Sequence, residues 1–177
     1  MTIIAISGKS GSGATSVAKI LAKRLGLECF SAGDVFRMLS KENLPDVVKT
    51  KEVWKNRGMD KKVHKKIDEI QRGLARHDNI VIDAKLSVYN LKNLADFRVW
   101  LKASKNKRTE RIAERDNIPL SLAASLIEDI DYIESGMWKK LYNLSAIDLE
   151  EMADVSIDTT ELPIEEIVNK IIRMLPK

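Results

Sequence analysis

A loop rich in glycine and serine near the start of the chain carries the residues best suited to chemistry. Gly8, Gly13 and Thr15 match the spacing of the pattern G-x-x-x-x-G-K-[ST], in which main-chain N–H groups surround phosphate oxygens at the N-terminus of a helix. The pattern has lysine just before the Ser/Thr position, but this chain has Ala14 there. The loop therefore predicts phosphate or nucleotide binding with its usual side-chain cation displaced. A strand-to-helix turn that binds nothing is the alternative.

Every residue of this loop is a candidate contact for the phosphates of a nucleotide. The set comprises Gly8, Lys9, Ser10, Gly11, Ser12, Gly13, Ala14, Thr15 and Ser16. Lys9 is the only lysine in the loop, and it could reach phosphates in its own site or, in a homodimer, in that of a partner copy. An exposed loop lysine without such a role is the alternative interpretation.

Two oxygen-bearing side chains are candidate ligands for a metal ion. The hydroxyl of Thr15 is the expected Mg²⁺ ligand of a phosphate loop. Asp83 ends an apolar run at residues 80–82, where a carboxylate can hold the metal through water. A helix N-cap or turn residue is the alternative interpretation of Asp83.

Three arginines, Arg108, Arg111 and Arg115, recur at three- and four-residue spacing in a segment with helical periodicity, residues 106–116. This spacing places them on one face of a helix, from which they could close on a phosphate group. Exposed arginines on an ordinary helix surface are the alternative.

These candidate residues lie on an alternating series of short apolar strands and amphipathic helices. Predicted strands cover residues 3–6, 27–30, 79–83, 97–101 and 155–158. A helical region from Pro119 to about Tyr142 is predicted to be interrupted at Ser135 and Gly136, and a last helix begins at Pro163. The pattern predicts an α/β fold with a parallel sheet of about five strands flanked by helices, and ligands beyond the carboxyl ends of the strands.

Composition limits the class of protein. The 177 residues suffice for a single domain, and no apolar run is long enough to span a membrane. No signal peptide follows Met1, so a cytoplasmic location is expected. Cys29 is expected to be a buried core thiol. Residues 49–76 carry ten Lys or Arg against four acidic residues, which indicates either an anionic ligand or a solvated helix face.

Several blocks of the sequence resemble archaeal-type cytidylate kinases, which are short P-loop nucleoside monophosphate kinases. The blocks are IIAISG at the start, SAGDVFR at residues 31–37, IDEIQRGLAR at 67–76, NIVIDAKL at 79–86, KRTERIAERD at 107–116 and KKLYNL at 139–144. The resemblance implies transfer of the γ-phosphoryl group of ATP to CMP or dCMP with Mg²⁺. It also implies one P-loop NTPase-type domain over residues 1–177, with a core at 1–33, 79–116 and 153–177, a monophosphate-binding arm at about 34–78 and a helical lid at about 117–145.

The resemblance assigns six residues to the CMP side of the site: Ser31, Gly33, Arg37, Asp68, Gln71 and Lys85. Arg37 would contact the acceptor phosphate, and Asp68 and Gln71 would face the pyrimidine. Lys85 stands where the family has an arginine in the block E-G-R-L. The catalytic cations implied are Lys9, Lys85, Arg108 and Arg111.

The chain also departs from the family pattern. Besides Ala14, the expected lid segment at residues 127–138 contains no arginine and carries acids instead, namely Glu128, Asp129, Asp131 and Glu134. Two hypotheses follow. The first is a CMP/dCMP kinase, monomeric or homodimeric, in which Lys9 and Lys85 are substitute cations. The second is a catalytically impaired kinase-like protein that binds nucleotide, or RNA through its basic helix, without phosphoryl transfer.

Overall fold

The computed structural model describes residues 2–38, 44–57, 61–77 and 79–176. Within these ranges the chain forms a five-stranded parallel sheet flanked by helices, which confirms the predicted α/β class. The strands are β1 (Ile3–Gly8), β2 (Glu28–Ser31), β3 (Ile80–Asp83), β4 (Phe97–Lys102) and β5 (Val155–Asp158). The helices are α1 (Ala14–Leu25), α2 (Ala32–Met38), α3 (Asp46–Arg57), α4 (Lys61–Leu74), α5 (Ser87–Asn90), α6 (Lys105–Asp116), α7 (Leu120–Met137), a π-helical turn (Trp138–Tyr142), α8 (Ala146–Glu151) and α9 (Ile164–Met174).

Strand β1 lies at the centre of the sheet, whose order is β2-β3-β1-β4-β5. In register, Ile6 pairs with Asp83 on one side, and Gly8 pairs with Leu101 on the other. The chain thus crosses from one side of β1 to the other between β3 and β4. A reversal of this kind leaves a crevice at the carboxyl ends of the strands, where α/β proteins bind their ligands.

Both faces of the sheet are covered by apolar packing. On β4, the alternate residues Val99 and Leu101 belong to one core cluster together with α1 and α9. Trp100, which points the other way, belongs to a second cluster with α6, α7 and the buried Trp138. Burial on both faces explains why the central strands are mainly apolar, with Arg98 of β4 as a charged exception that pairs with Asp154.

The predicted interruption at Ser135 and Gly136 is wrong. Helix α7 continues through both residues and leads directly into the π-helical turn. The Ser135 hydroxyl donates to the main-chain oxygen of Asp131 one turn earlier, at 2.7 Å, so it is accommodated within the helix. A mid-helix glycine costs only about 1 kcal/mol relative to alanine, and burial of Ile127, Ile130 and other apolar residues of α7 outweighs that cost.

The expectation that Cys29 is buried is also wrong. Its side chain is exposed, because β2 is an edge strand and Cys29 lies near the open side of the sheet. Sequence pattern does not distinguish an edge strand from a central one, so the apolar run alone could not show this.

Two short helices were not predicted. Helix α5 lies in the loosely patterned segment after β3, and α8 begins with a capping box in which Ser145 and Asp148 exchange hydrogen bonds. Helices α3 and α4 fall within the segment predicted as the monophosphate-binding arm, α2 spans its predicted start, and α7 lies within the predicted lid. α3 packs against α7. Among the described helices, none is long and apolar enough to cross a membrane.

Candidate functional site

The glycine-rich segment forms a tight loop between β1 and α1. Gly11 and Gly13 have φ angles of 82° and 94°, a region in which side-chain-bearing residues are strained. A Cβ atom on Gly8 would lie 2.5 Å from both the Leu101 oxygen and the Ser12 hydroxyl, so only glycine fits there. Because α1 begins directly after the loop, the positive end of its dipole faces the loop, and no acidic residue in its first turn offsets that charge. This geometry suits the binding of an anion.

Thr15, Ser31 and Asp83 converge at the edge of the loop. The hydroxyls of Thr15 and Ser31 both donate to Oδ2 of Asp83, at 2.6 and 2.8 Å. The parallel register of β2 and β3 pairs Ser31 with Asp83 at the carboxyl ends of the strands, and Thr15 joins them from the first turn of α1. Burial raises the pKa of Asp83, and the two hydroxyl donors and the charge of Lys85 act in the opposite direction.

The same three residues fit a hard divalent cation. Among the described residues, no cluster of three or more His, Cys, Asp or Glu is arranged to hold a metal ion unaided. Mg²⁺ is typically bound by one or two carboxylates or hydroxyls, with waters and substrate phosphates completing the shell. The hydroxyl of Thr15 and the carboxylate of Asp83, directly beside the loop, supply this donor set.

Lys85 extends from the turn after β3 onto the phosphate loop. Its Nζ lies 3.2 Å from the main-chain oxygen of Gly8, 3.0 Å from the hydroxyl of Ser10 and 3.2 Å from Oε1 of Glu134. The side chain is 24% exposed, whereas that of Glu134 is 1% exposed. Burial raises the pKa of Glu134, and the charge of Lys85 opposes that rise. Lys85 therefore contacts the phosphate loop directly.

Arg108 joins α6 to both the loop and α7. It donates to the main-chain oxygen of Ser10 at 3.0 Å and to both carboxylate oxygens of Asp131 at 3.0 and 2.6 Å. Lys9 adds an ion pair with Asp131 at 3.6 Å. Burial alone would raise the pKa of Asp131, but the hydrogen bonds and charge of Arg108, with Lys9 and Lys85, lower it.

The other arginines of α6 have different surroundings. Arg111 donates to the hydroxyl and the main-chain oxygen of Thr159, at 3.0 and 2.5 Å, and lies 3.4 Å from the main-chain oxygens of Gly11 and Ser12. Arg115 pairs with the adjacent Asp116 and is about half exposed. Arg108 and Arg111 therefore donate to main-chain oxygens of the loop, and Arg111 and Arg115 both line the cavity beside it.

The acids of α7 face cations of the surrounding elements. Asp131 pairs with Arg108, Glu134 with Lys85, Asp129 with Lys51 and Glu128 with Lys105. Each acid that distinguishes this segment from the family pattern therefore forms an ion pair with a Lys or Arg. Two of these cations, Lys85 and Arg108, were predicted catalytic residues.

A buried polar cluster lies on the other side of the crevice. Asp68 of α4 accepts from Asn90 Nδ2 at 2.6 Å and from the hydroxyl of Tyr142 at 2.8 Å. Burial raises the pKa of both Asp68 and Tyr142. The ring of His64 packs edge-to-face against that of Tyr142. Gln71, one turn after Asp68, is buried, and its Oε1 has no hydrogen-bond partner among the described residues.

The sequence reasoning assigned no site role to His64, Asn90 or Tyr142, and it named Asp131 and Glu134 only as departures from the family pattern. The helical spacing of His64, Asp68 and Gln71 on α4 could have indicated the first of them, because residues three or four apart share a face. The partners from α5, α7 and the π-helical turn are brought in by tertiary packing alone. The predicted contact Arg37 lies on α2, but its side chain is outside the described part of the structure.

One cavity of about 480 Å³ connects these groups. Its lining includes all the loop residues from Gly8 to Ser16, the metal candidate Asp83, and Lys85, and it extends to Gly33, Asp68 and Gln71. Its size lies in the range of small-molecule sites. The loop residues predicted to contact phosphate and the predicted pyrimidine contacts Asp68 and Gln71 thus line a single cavity.

Comparison with known proteins agrees with this arrangement. A family model described as the cytidylate kinase-like family matches residues 3–161. A cytidylate kinase of Sulfurisphaera tokodaii is 40% identical over 166 residues, which cover 93% of this chain and 90% of that protein. A cytidylate kinase of Ignicoccus hospitalis is 35% identical over 175 residues, which cover 99% of each.

Solved structures with similar folds include a shikimate kinase and a gluconokinase. A shikimate kinase from Bacteroides thetaiotaomicron has a TM-score of 0.68 at 16% identity and covers 98% of both chains. A gluconokinase from Sinorhizobium meliloti has a TM-score of 0.61 at 21% identity, covering 98% of this chain and 93% of its own. At such low identity these likenesses show the fold alone.

Proposed function

This chain belongs to the cytidylate kinase-like family, and we propose that it transfers the γ-phosphoryl group of ATP to CMP or dCMP. The observation that carries the proposal is the continuous cavity between the phosphate loop and the polar cluster of α4. Phosphoryl transfer depends mainly on positioning donor and acceptor in line and on stabilising charge. A cavity that reaches both sides meets the first requirement.

On the donor side, the main-chain amides of residues 8–15 would bind the β- and γ-phosphates. Lys85 would neutralise developing charge, because its ammonium group already lies against the loop. Lys9 would add a second cation, and its ion pair with Asp131 of the same chain supports action in its own site. Arg108 and Arg111 would hold the loop carbonyls in place.

Kinases of this family use ATP with a divalent metal, and we propose Mg²⁺ held by Thr15 directly and by Asp83 through water. The metal would neutralise phosphate charge and orient the γ-phosphate. The attacking oxygen belongs to a phosphate monoester that is largely ionised at neutral pH, so the chain need not supply a general base.

On the acceptor side, Asp68 and Gln71 would read the cytosine ring. The 4-amino group of cytosine is a donor, and the unpartnered Oε1 of Gln71 is an available acceptor. Uracil carries an oxygen at the same position and would leave that acceptor unpaired. Ser31, Gly33 and Arg37 would lie near the acceptor phosphate, as the family resemblance implies.

The test is a coupled assay of ADP formation with ATP and each nucleoside monophosphate. We expect turnover with CMP and dCMP, and a loss on the order of 100-fold in kcat for Thr15→Ala, since the hydroxyl that would bind Mg²⁺ directly is removed. Thr2→Ala, at the opposite end of β1, is the matched control. An absence of turnover with every monophosphate would contradict the proposal.

The same assay separates the alternative hypothesis. A protein that binds nucleotide or RNA without transfer would retain ATP affinity and form no ADP, and RNA binding through basic side chains would weaken steeply with salt.

The oligomeric state, monomer or homodimer, stays a prediction, as do the arm and lid boundaries. We also propose that the enzyme works in the cytoplasm, where its nucleotide substrates are present.

A further inference from the structure

Lys85 brings an ammonium group to the phosphate loop, which lacks the usual lysine at position 14. Ala14 is the first residue of α1 and lines the cavity, but it carries no charge. Lys85 lines the same cavity, and its Nζ lies within 3.2 Å of a main-chain oxygen and a hydroxyl of the loop. An ammonium group therefore reaches the loop from β3 instead of from α1.

The turn that carries Lys85 is held tightly against β1. The main-chain N–H of Ala84 donates to the oxygen of Ile6 at 3.1 Å, and the hydroxyl of Ser7 donates to the oxygen of Ala84 at 2.7 Å. The hydroxyl of Ser87 donates to the oxygen of Ile6 at 2.7 Å. These buried contacts determine where the Lys85 side chain starts.

Glu134 fixes the position of the ammonium group of Lys85. Its carboxylate is almost completely buried and lies 3.2 Å from Lys85 Nζ, and Lys85 is its only ion-pair partner among the described residues. Two N–H bonds of the ammonium meet acceptors on Gly8 and Ser10, and its charge faces Glu134, whose carboxylate oxygens have no hydrogen-bond partner among the described residues. The hydroxyl of Ser10 is the acceptor that a phosphate oxygen could replace, since it is a small rotatable group on the loop surface.

We propose that Lys85 supplies the phosphate-binding ammonium that Ala14 lacks, and that Glu134 is the positioning residue that holds it against the loop. Glu134 acts through Lys85 and does not contact substrate. A buried carboxylate is costly unless it is paired, so the pair constrains both members to one geometry. This inference rests on the proposed kinase function and extends it by naming the cation and its support.

The experiment is a double-mutant cycle measured as kcat and as KM for ATP and CMP. Lys85→Met removes the ammonium and is expected to lower kcat by about 1000-fold, as loss of a transition-state cation does. Glu134→Gln is expected to lower kcat roughly 10- to 100-fold, because a small misplacement of a catalytic group is costly, while KM for CMP stays unchanged. In the Lys85→Met background, Glu134→Gln is expected to have no further effect on kcat.

Two further variants sharpen the cycle. Ala14→Lys is expected to restore activity to Lys85→Met, because it returns an ammonium to the usual position of the loop. Glu128→Gln, on an exposed turn of the same helix, is the matched control and should leave kcat unchanged. Equal effects of Glu134→Gln in both backgrounds, or no gain from Ala14→Lys, would overturn the inference.

Folding is checked by circular dichroism before kinetics. If Glu134→Gln does not fold, Glu134→Asp replaces it in the cycle. The double variant Lys85→Met/Glu134→Met then serves as a second background, because it contains no unpaired buried charge. Ala14→Lys must raise activity in that background if the inference is correct.

Failure of the proposed function is distinguishable from failure of this inference. If the wild-type chain forms no ADP with any monophosphate, the same cycle is measured as ATP affinity by calorimetry with Mg²⁺ present. The inference would still be supported if Glu134→Gln weakened ATP binding in the wild-type background but had no effect on ATP binding in the Lys85→Met background. Additive losses of affinity would overturn it.

Discussion

At the scale of the single residue, Gln71 illustrates how an unpaired buried group indicates a ligand. Its Nε2 lies 3.4 Å from the main-chain oxygen of Ile67, but its Oε1 is buried without a partner among the described residues. Leaving a buried acceptor unpaired costs about 1–3 kcal/mol, so a native protein retains one mainly where something else supplies the donor. The neighbouring Asp68 already accepts from Asn90 and Tyr142, which leaves Gln71 as the more available acceptor.

Replacing Gln71 with leucine tests its role in reading cytosine. We expect KM for CMP to rise about 10- to 100-fold, which corresponds to loss of one buried hydrogen bond, while KM for ATP stays the same. The control is Glu69→Leu, which lies on the exposed side of the same helix. Steady-state kinetics with each substrate varied in turn provides the measurement, and an equal rise in both KM values would argue against a specific contact with the base.

At the scale of the secondary-structure element, α7 balances the charges of the phosphate-binding region. Asp131 ties this helix to Arg108 of α6 and to Lys9 of the loop, while Glu134 ties it to the turn after β3. The helix thus joins three separate parts of the chain through ion pairs. Because Asp131 is 19% exposed and Arg108 only 4%, their bidentate contact is protected from solvent and should contribute measurably to stability.

The effect of Asp131→Asn on stability should depend on pH. The folded pKa of Asp131 is lowered, so its contribution is fully present above the ordinary value of 3.8 and is lost as pH falls through the folded pKa. We expect Asp131→Asn to lower the free energy of unfolding at pH 7 by about 2 kcal/mol, the value of a hydrogen-bonded charge, and to lower it much less at pH 2.

Urea unfolding at the two pH values provides this measurement. Asp129→Asn, which removes a more exposed carboxylate of the same helix, is the control and should have a smaller effect at both. A constant difference between Asp131→Asn and wild type across the pH range would show that the carboxylate charge is not responsible.

At the scale of the whole molecule, elements distant in sequence build one cavity between them. The loop after β1, the turn after β3 and helix α4 all contribute to its walls, and α3, from the predicted arm, packs against α7, from the predicted lid. The Lys51 and Asp129 side chains join these two helices by an ion pair at 2.5 Å. Occupation of the cavity should therefore stabilise the entire fold rather than one segment.

Thermal unfolding with ligands tests this expectation. ATP with Mg²⁺ at 100 times its dissociation constant should raise the free energy of unfolding by about 2.7 kcal/mol, because only the folded state binds it. Adding a chelator should reverse most of this gain, and CMP should add a separate increment if the two nucleotides occupy opposite walls. Loss of the ATP effect on addition of CMP would instead indicate a single shared site.

Local sequence patterns were sufficient for much of this protein. The alternation of apolar strands and amphipathic helices predicted the α/β class and all five described strands, because burial on both faces of a parallel sheet requires such runs. The glycine spacing predicted the loop, since Gly11 and Gly13 adopt positive φ angles that other residues resist. These features depend on residues close together in the chain.

Contacts between distant residues could not be obtained in that way. The exposure of Cys29 depends on β2 being at the edge of the sheet, which follows from strand order and not from its own composition. The pairing of Glu134 with Lys85 joins positions 49 residues apart, and that of Asp131 with Arg108 joins two helices. The sequence thus showed which charged residues the chain has, whereas packing of the helices on the sheet settled which of them meet, because charge pairing depends on distance in space.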